Sequence, residues 1–271
     1  MKRTNTSSKV TRADGTRTVS IVGSGNVATH LALALHGAGH TIVQVLSREY
    51  DHAQLLASRV GAEPINRVEM LRDGADFYIL AVGDDALYDL ALDLSFPSSI
   101  VLHTSGATPA EVLNRISRSY GVVWSPQTFV RDIAMDYRHL PLCVEACNVN
   151  VAADVDALFS SFSDCVHHLD FSQRRWAHLA AVMVSNFGNA INALAQQTMQ
   201  DHGLDFDMLR PLAEQTLRKW DYGDLRAQQT GPAIRHDEKT LNIHRRMLMD
   251  NPQLLKLYNQ LTDLIQQSSR D

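Results

Sequence analysis

Apolar and polar positions along the chain follow one pattern up to about residue 170 and another after it. In the first part, short β-branched or apolar runs alternate with segments of helical periodicity, which is typical of a doubly wound, mostly parallel α/β sheet. The predicted strands are Thr18–Val22, 40–46, 77–82, 99–103, 121–124, 140–145 and 165–169. The predicted helices between them are 29–36, Tyr50–Val60, 86–94, 109–117 and 151–162.

After residue 171 the strand signals stop and helical periodicity continues, which predicts an all-helical C-terminal domain. Its first helix is expected to have Ser172 as N-cap and to run to about Asp201, a length on the order of 45 Å. We therefore divide the chain into a leader (1–17), a sheet domain (18–170) and a helical domain (171–271). A helix of this length is expected either to pack on the sheet domain or to form the core of a homodimer.

Composition and charge narrow the function classes. The 271 residues carry 25 basic and 30 acidic side chains, a formal net charge of -5, which argues against nucleic-acid binding. The three cysteines form no Cys-x-x-Cys pair, so we expect a cytoplasmic protein without a disulfide framework or metal site. No segment is suited to span a membrane.

Residues 1–17, with five basic and one acidic side chain, are predicted to be a disordered leader; a transit peptide or an anion-binding arm are the alternatives.

A glycine-rich turn joins the first strand to the first helix. Gly23 is expected to permit the tight turn, Gly25 to let the backbone approach a pyrophosphate, and Ala28 to let the helix pack closely on the strand. Because the turn lies within a complete βαβ unit, it predicts a dinucleotide site of the Rossmann type. The backbone N–H groups expected to face the phosphates are those of Ser24, Gly25, Asn26 and Val27.

The end of the second strand indicates which dinucleotide binds. NAD enzymes place an acidic residue there, but this chain has Ser47-Arg48, a hydroxyl and a guanidinium that suit a 2′-phosphate. NADP is therefore expected rather than NAD, although Glu49 follows closely. Ligands in such sheets lie at the carboxyl ends of strands. The residues expected to line the cofactor at the next two strand ends are Ala81, Val82, His103 and Thr104, with Ser105 toward the substrate. Asp84 and Asp85 could contact a ligand or cap the following helix.

The order of these features resembles the 6-phosphogluconate dehydrogenase-like superfamily, which includes β-hydroxyacid dehydrogenases, pyrroline-5-carboxylate reductase and F420-dependent NADP oxidoreductases. Four motifs resemble, more narrowly, a bacterial family that joins a Rossmann-like NADP oxidoreductase domain to a C-terminal domain of unknown function. They are His103-Thr-Ser-Gly106, Ser125-Pro-Gln-Thr-Phe129, His178-Leu-Ala-Ala-Val182 with Ser185-Asn-Phe187, and Thr230-Gly-Pro-Ala-Ile-Arg235-His-Asp237. The resemblance implies hydride transfer on a small substrate whose identity is generally unassigned in the family.

The resemblance also implies where the chemistry lies on the long helix. β-Hydroxyacid dehydrogenases use a lysine as proton donor or acceptor and an asparagine four residues later; here Asn186 matches the asparagine, but Val182 stands at the lysine position. Valine cannot transfer a proton, which puts that reaction in doubt. On an ideal helix, His178, Ser185, Asn189 and Asn192 form an uncharged polar stripe, with Asn186 at its border. His178 is the candidate acid/base; alternatively, the histidine and the amides satisfy one another in a helix interface.

Three further positions complete the candidate site. Gln127 could contact the nicotinamide or a substrate amide, and Arg235 could bind an anionic group of the substrate. Asp237 could orient Arg235 or His244, or simply cap the helix that follows. Arg174 and Arg175 are expected to be surface charges or anion contacts.

These observations predict an NADP(H)-dependent oxidoreductase that transfers a hydride to or from a small molecule in a cleft between the two domains. The missing lysine motivates a rival from another class, a nucleotide-binding sensor or scaffold without catalysis. A third hypothesis is a reductase of imines or of a deazaflavin, for which no lysine is needed. A polar cavity around His178 and Asn186 would favour an enzyme, whereas an apolar filling would favour the sensor.

Overall fold

A computed structural model describes residues 15–268 of the chain, and 1–14 of the expected leader lie outside this range. Arg17, the last residue assigned to the leader, forms an ion pair with Asp154 (Nη2 to Oδ1, 2.9 Å) and so belongs to the folded part. The chain divides into two compact units, Met1–Ala190 and Ile191–Asp271. The boundary lies about twenty residues beyond the expected one at 170/171, because the helix that begins at Phe171 is tied to the sheet by contacts described below.

The first unit is built on an eight-stranded sheet with the order β3-β2-β1-β4-β5-β6-β7-β8. Neighbouring strands are parallel except for β6 and β7, which are antiparallel. This confirms the doubly wound, mostly parallel sheet. The short strand β3 has no alternating pattern and was not predicted. The strands are β1 (Thr18–Val22), β2 (Thr41–Leu46), β3 (Glu63–Ile65), β4 (Phe77–Leu80), β5 (Ile100–His103), β6 (Ser119–Trp124), β7 (Leu142–Ala146) and β8 (Val166–His168).

Helices cover both faces of the sheet, and alternate strand residues face different cores. Phe77 and Ile79 of β4 pack with α1, α2 and α4, whereas Tyr78 and Leu80 pack with α3 on the other face. Central strands buried on both faces explain why the sequence shows continuous apolar runs. The helices of this unit are α1 (Asn26–Gly37), α2 (Tyr50–Val60), α3 (Asp84–Asp93), α4 (Val149–Phe159) and α5 (Phe171–Val182).

Two local predictions need correction. The helix expected at 109–117 is a single 3-10 turn, Ala110–Leu113, because the chain turns back toward β6, where the Ser117 hydroxyl donates to the Ser99 carbonyl oxygen (2.7 Å). At the start of α3, Gly83 is the N-cap and makes no side-chain cap. The acidic pair Asp84 and Asp85 lies in the first helical turn, where negative charge complements the helix dipole.

The long helix differs from the expected one at its start and in its middle. Asp170 is the N-cap, not Ser172, because Asp170 and Gln173 form a reciprocal capping box with hydrogen bonds of 2.8 and 3.0 Å. A π-helical turn, Met183–Phe187, then separates α5 from α6 (Gly188–Asp201). A π turn shifts the angular position of every later residue, so a helical wheel drawn from 178 to 192 does not hold.

The second unit is helical, which confirms the all-helical C-terminal region. Within residues 191–268 only Ala233, Leu241 and Thr262 are buried, while large apolar side chains such as Met208 and Met247 are exposed. The homodimer expected through this domain stays a prediction. Among residues 15–268, no helix is both long and apolar enough to cross a bilayer. Beyond α6, the helices are α7 (Arg210–Arg218), α8 (Glu238–Met247) and α9 (Pro252–Ser268).

Candidate active site

The turn after β1 has the geometry of a phosphate-binding loop. Gly23 has φ of 117°, and a Cβ there would lie 2.2 Å from the Ala81 carbonyl oxygen, so only glycine fits. Gly25 is the N-cap of α1 without a side-chain cap, and a Cβ there would meet nothing within 4 Å. Ala28 is fully buried against the sheet. Open space before uncapped backbone N–H groups fits an anion such as a pyrophosphate.

The end of β2 joins this loop through Ser47. The Ser24 hydroxyl donates to the Ser47 hydroxyl (2.8 Å). The next side chain, Arg48, is exposed and makes no hydrogen bond or ion pair with the part of the chain that the structure describes. A guanidinium left without an internal partner beside the phosphate loop is available to an external phosphate.

The His103 and Ser105 side chains, expected to contact cofactor and substrate, instead hold a turn at the end of β5. The fully buried His103 ring accepts from the Ser105 N–H at Nδ1 (3.1 Å) and donates from Nε2 to the Pro109 carbonyl (3.3 Å). Burial, with the nearby Arg174 charge, lowers the pKa of His103 to about 4, so the ring is neutral near pH 7. The Ser105 hydroxyl accepts from the N–H groups of Ala107 (3.1 Å) and Thr108 (2.9 Å).

Arg174 is the anchor of this turn, and the prediction that it is a surface charge is wrong. Its guanidinium is fully buried and pairs with Glu145 of β7 (Nη2 to Oε2, 2.9 Å). Nη1 donates to the carbonyl oxygens of Ser105 (2.7 Å) and Thr108 (3.0 Å). A buried guanidinium needs such partners for its charge and its donors, and a sequence cannot show that they exist. These bonds fasten α5 to the sheet.

A cavity of about 280 Å³ lies between the segment after β6 and the helix that begins at Phe171. Its lining contains no lysine, arginine, aspartate or glutamate, and His178 is its titratable member. Thr128 and Ser185 are joined across it by a hydrogen bond between their hydroxyls (2.9 Å). The lining residues are Trp124, Ser125, Pro126, Gln127, Thr128, His178, Ala181, Val182, Val184, Ser185 and Asn186.

His178 is fixed in this cavity by close packing against Gly106. A Cβ at position 106 would lie 2.5 Å from Cδ2 of the imidazole and 3.0 Å from Trp124 Nε1. The Trp124 and His178 rings meet edge to face, with centroids 5.7 Å apart. The glycine of the His103-Thr-Ser-Gly106 motif is therefore required by the histidine ring of another motif, a link that sequence reasoning missed.

The π turn decides which polar residues reach the cavity. Ser185 and Asn186 line it together with Val182, the residue expected at the lysine position of the β-hydroxyacid dehydrogenases. Asn189 does not line it, and Asn192 lines a separate groove formed by α6 and α7 in the second unit. The expected polar stripe is thus broken after Asn186, because the wheel assumed a regular α-helix.

The motif around Arg235 lies in the second unit. Asp237 is the N-cap of α8 and accepts from the Thr240 N–H (3.1 Å) and hydroxyl (2.7 Å), which lower the pKa of the Asp237 carboxyl. This confirms the capping alternative. His244 is not bound by Asp237 but by the Tyr258 hydroxyl (2.8 Å). Arg235 is exposed, and its expected contact with an anionic substrate group stays a prediction.

The fold and the loop define a Rossmann-type nucleotide-binding protein, and comparisons identify its family. Residues 1–124 match the Rossmann-like domain, and residues 140–265 match a domain of unknown function, DUF2520. A protein of Bacteroides fragilis described as an NADP oxidoreductase shares 35% identity, with 93% of this chain and 99% of that chain covered and a TM-score of 0.87. The chain belongs to this family, in which a Rossmann-like domain precedes a DUF2520 domain.

More distant structures share the fold alone. A protein of Thermotoga maritima has a TM-score of 0.72 at 20% identity, covering 93% of this chain and 98% of that one. A reductive aminase of Aspergillus terreus, in complex with NADPH and ethyl-5-oxohexanoate, has a TM-score of 0.67 at 18% identity over 94% of each chain. No curated protein sequence matches the chain.

The neutral state of His103 predicts that acid destabilises the fold. The unfolded histidine takes up a proton near pH 6.5, whereas the folded ring does so only near pH 4, so the free energy of unfolding falls as pH drops through this window. At about pH 5 the loss from this group is about 2 kcal/mol relative to neutral pH. Urea unfolding of wild type and His103→Gln at both pH values measures it. Equal losses in the two proteins would contradict the assignment to His103.

The packing of Gly106 on His178 predicts a strong coupling between them. Gly106→Ala should lower the free energy of unfolding by about 1–3 kcal/mol because the core is overpacked. In a His178→Ala background most of that cost should vanish, because the ring that the methyl group meets is gone. A double-mutant cycle by urea unfolding measures the coupling. Gly37→Ala, where a Cβ meets nothing within 4 Å, is the control. Additive effects would show that the contact is not formed.

Proposed function

We propose that the protein is an NADP(H)-dependent oxidoreductase that acts on a small carbonyl or imine compound at the His178 cavity. The observation that carries this proposal is a segment, residues 125–131, that bridges the phosphate loop and the cavity. At one end, the Asn26 side-chain amide donates to the Phe129 carbonyl (2.9 Å) and Arg131 donates to the Ser24 carbonyl (2.8 Å). At the other end, Thr128 bonds to Ser185 in the cavity wall. The phosphate loop and the cavity that contains His178 are thus both in contact with one segment of the first unit.

The residues of the loop fit a dinucleotide phosphate. The N–H groups from Ser24 to Val27 would hold the pyrophosphate, Ala81, Val82 and Thr104 would line its path at the strand ends, and Ser47 and Arg48 would bind a 2′-phosphate. NADPH, once bound, supplies a hydride. The relative from Bacteroides fragilis, described as an NADP oxidoreductase, supports the same cofactor.

The chain's own part in the chemistry is to orient the substrate and to provide a proton. The amides of Gln127 and Asn186 can each donate a hydrogen bond to a carbonyl oxygen and accept one from an amine. For a carbonyl or a neutral imine, His178 gives a proton to the oxygen or nitrogen when the hydride reaches the carbon, and removes it in the reverse direction. An imine that is already protonated takes up the hydride without a further proton. Val182 contributes no proton, so the histidine replaces the lysine of the β-hydroxyacid dehydrogenases in this proposal.

The state of the cavity also weighs against the sensor hypothesis. A sensor that had lost catalysis is expected to fill this space with apolar side chains, whereas the cavity is open and has polar groups on both walls. An imine reductase is compatible with the uncharged lining, because a protonated imine already carries the charge that activates it toward hydride.

Arg48 provides the first test of the cofactor. NADPH should bind more tightly than NADH, and Arg48→Ala should weaken NADPH binding about 10- to 100-fold because a charge-assisted contact with the 2′-phosphate is lost. NADH binding should hardly change. Fluorescence titration of each nucleotide measures the dissociation constants, with Arg67→Ala as an exposed control on the same domain. If neither nucleotide binds wild type, the dinucleotide assignment is wrong.

His178 provides the test of catalysis. In a screen of small ketones, alone and with amines, NADPH oxidation by wild type identifies a substrate. His178→Ala should then lower kcat about 10²- to 10⁴-fold through loss of the proton donor, with NADPH affinity retained. His167 is an exposed histidine of the same unit, so the control variant His167→Ala should keep full activity. NADPH binding without turnover of any compound would support the sensor, and full activity of His178→Ala would remove the histidine from the mechanism.

A further inference from the structure

We propose that Arg131 is a further cofactor-binding residue, whose guanidinium contacts the pyrophosphate shared by NADP and NAD. The inference rests on the proposed dinucleotide site and adds a residue that the glycine-rich motif does not contain. Arg131 comes from the segment after β6, more than one hundred positions from the loop it touches. Its Nη2 donates to the carbonyl oxygen of Ser24, the residue between the two glycines of the phosphate loop (2.8 Å).

The positive charge of Arg131 has no acidic partner within the described part of the chain. Arg131 is half-buried and forms no ion pair among residues 15–268. Its single hydrogen bond with a described residue uses one of five guanidinium N–H donors, so the others remain for a ligand. The loop residues from Gly23 to Ala28 carry no charged side chain. The loop itself therefore offers a pyrophosphate backbone N–H groups and the helix dipole, and Arg131 would add a full positive charge.

The segment that carries Arg131 is anchored next to the loop, which fixes the guanidinium before a ligand arrives. The buried His30 of α1 contacts the Val130 carbonyl through Nε2 (2.9 Å) and the Tyr137 hydroxyl through Nδ1 (2.9 Å). The neighbouring Phe129 is buried, with its ring 5.3 Å from the His30 ring. Since Phe129 and Val130 contact His30 of α1, the backbone before Arg131 is already placed beside the loop, which reduces the conformational freedom lost on binding a phosphate.

The chemistry of the ligand separates this role from that of Arg48. NADPH and NADH share the pyrophosphate and differ in the 2′-phosphate alone. A residue on the pyrophosphate must therefore affect both nucleotides alike, whereas a residue on the 2′-phosphate affects NADPH only. A guanidinium that merely holds the segment to Ser24 should show no preference for phosphate-bearing competitors over adenosine.

The test is the dissociation constant of NADPH and of NADH for wild type, Arg131→Gln and Arg131→Lys, together with competition by inorganic pyrophosphate. Arg131→Gln should weaken both dinucleotides and the competition by pyrophosphate about 10- to 100-fold, while adenosine competes as before. Arg131→Lys should retain part of the affinity because it retains the charge. Arg138→Gln, an exposed arginine of the same connection that pairs with Asp164 (3.0 Å), is the matched control and should behave as wild type.

The measured dissociation constants distinguish a pyrophosphate contact from a structural role of Arg131. Unchanged affinity in Arg131→Gln, a loss confined to NADPH, or equal losses in the Gln and Lys variants would overturn the assignment. Urea unfolding of each variant separates loss of the fold from loss of the contact, and a folded Arg131→Gln with intact adenosine competition keeps the comparison valid. Failure of wild type to bind either dinucleotide would instead refute the proposed function.

Discussion

The candidate site depends on the ion pair and hydrogen bonds of one buried group, the Arg174 guanidinium. It joins three pieces of chain that are distant in sequence: α5, strand β7 through Glu145, and the turn after β5 through the carbonyls of Ser105 and Thr108. A buried ion pair of this kind adds little net stability over an apolar alternative, but removing one partner is costly. The main effect of the Arg174 contacts is therefore geometric, since they fix the position of the turn after β5 relative to α5.

That geometry determines the position of His178. Arg174 lies one helical turn before His178, so the bonds of the guanidinium also fix the face of α5 that meets Gly106 and Trp124. The same turn buries the His103 ring, and this burial, together with the nearby Arg174 charge, lowers the pKa of His103 and keeps the ring neutral. The motif at 103–106 thus packs against His178, the candidate catalytic residue, through Gly106. The sequence had indicated instead that its side chains contact a ligand at the end of the strand.

The sequence predicted well what depends on neighbouring residues. The alternation of strands and helices and the tight turn at Gly23 follow from local patterns, and both are present. The missed features depend on contacts between distant segments. Arg174 and Arg131 look alike in a sequence, yet one is fully buried with Glu145 and the other lies half-buried at the phosphate loop. The Arg174–Glu145 pair spans 29 residues and the Arg131–Ser24 contact spans 107, and contacts at such separations leave no local periodicity to detect.

The π turn shows why the candidate catalytic residues were only partly predictable. A wheel of 3.6 residues per turn placed Asn186 at the border of the polar stripe and Asn189 within it, whereas the cavity is lined by Ser185 and Asn186 on consecutive positions. The π turn lies at these positions, one residue beyond Val182. π turns persist where a regular helix would aim the side chains differently, and they occur frequently at functional sites. The irregular backbone at 183–187 thus brings two neutral hydrogen-bonding side chains, Ser185 and Asn186, to the cavity that His178 also lines.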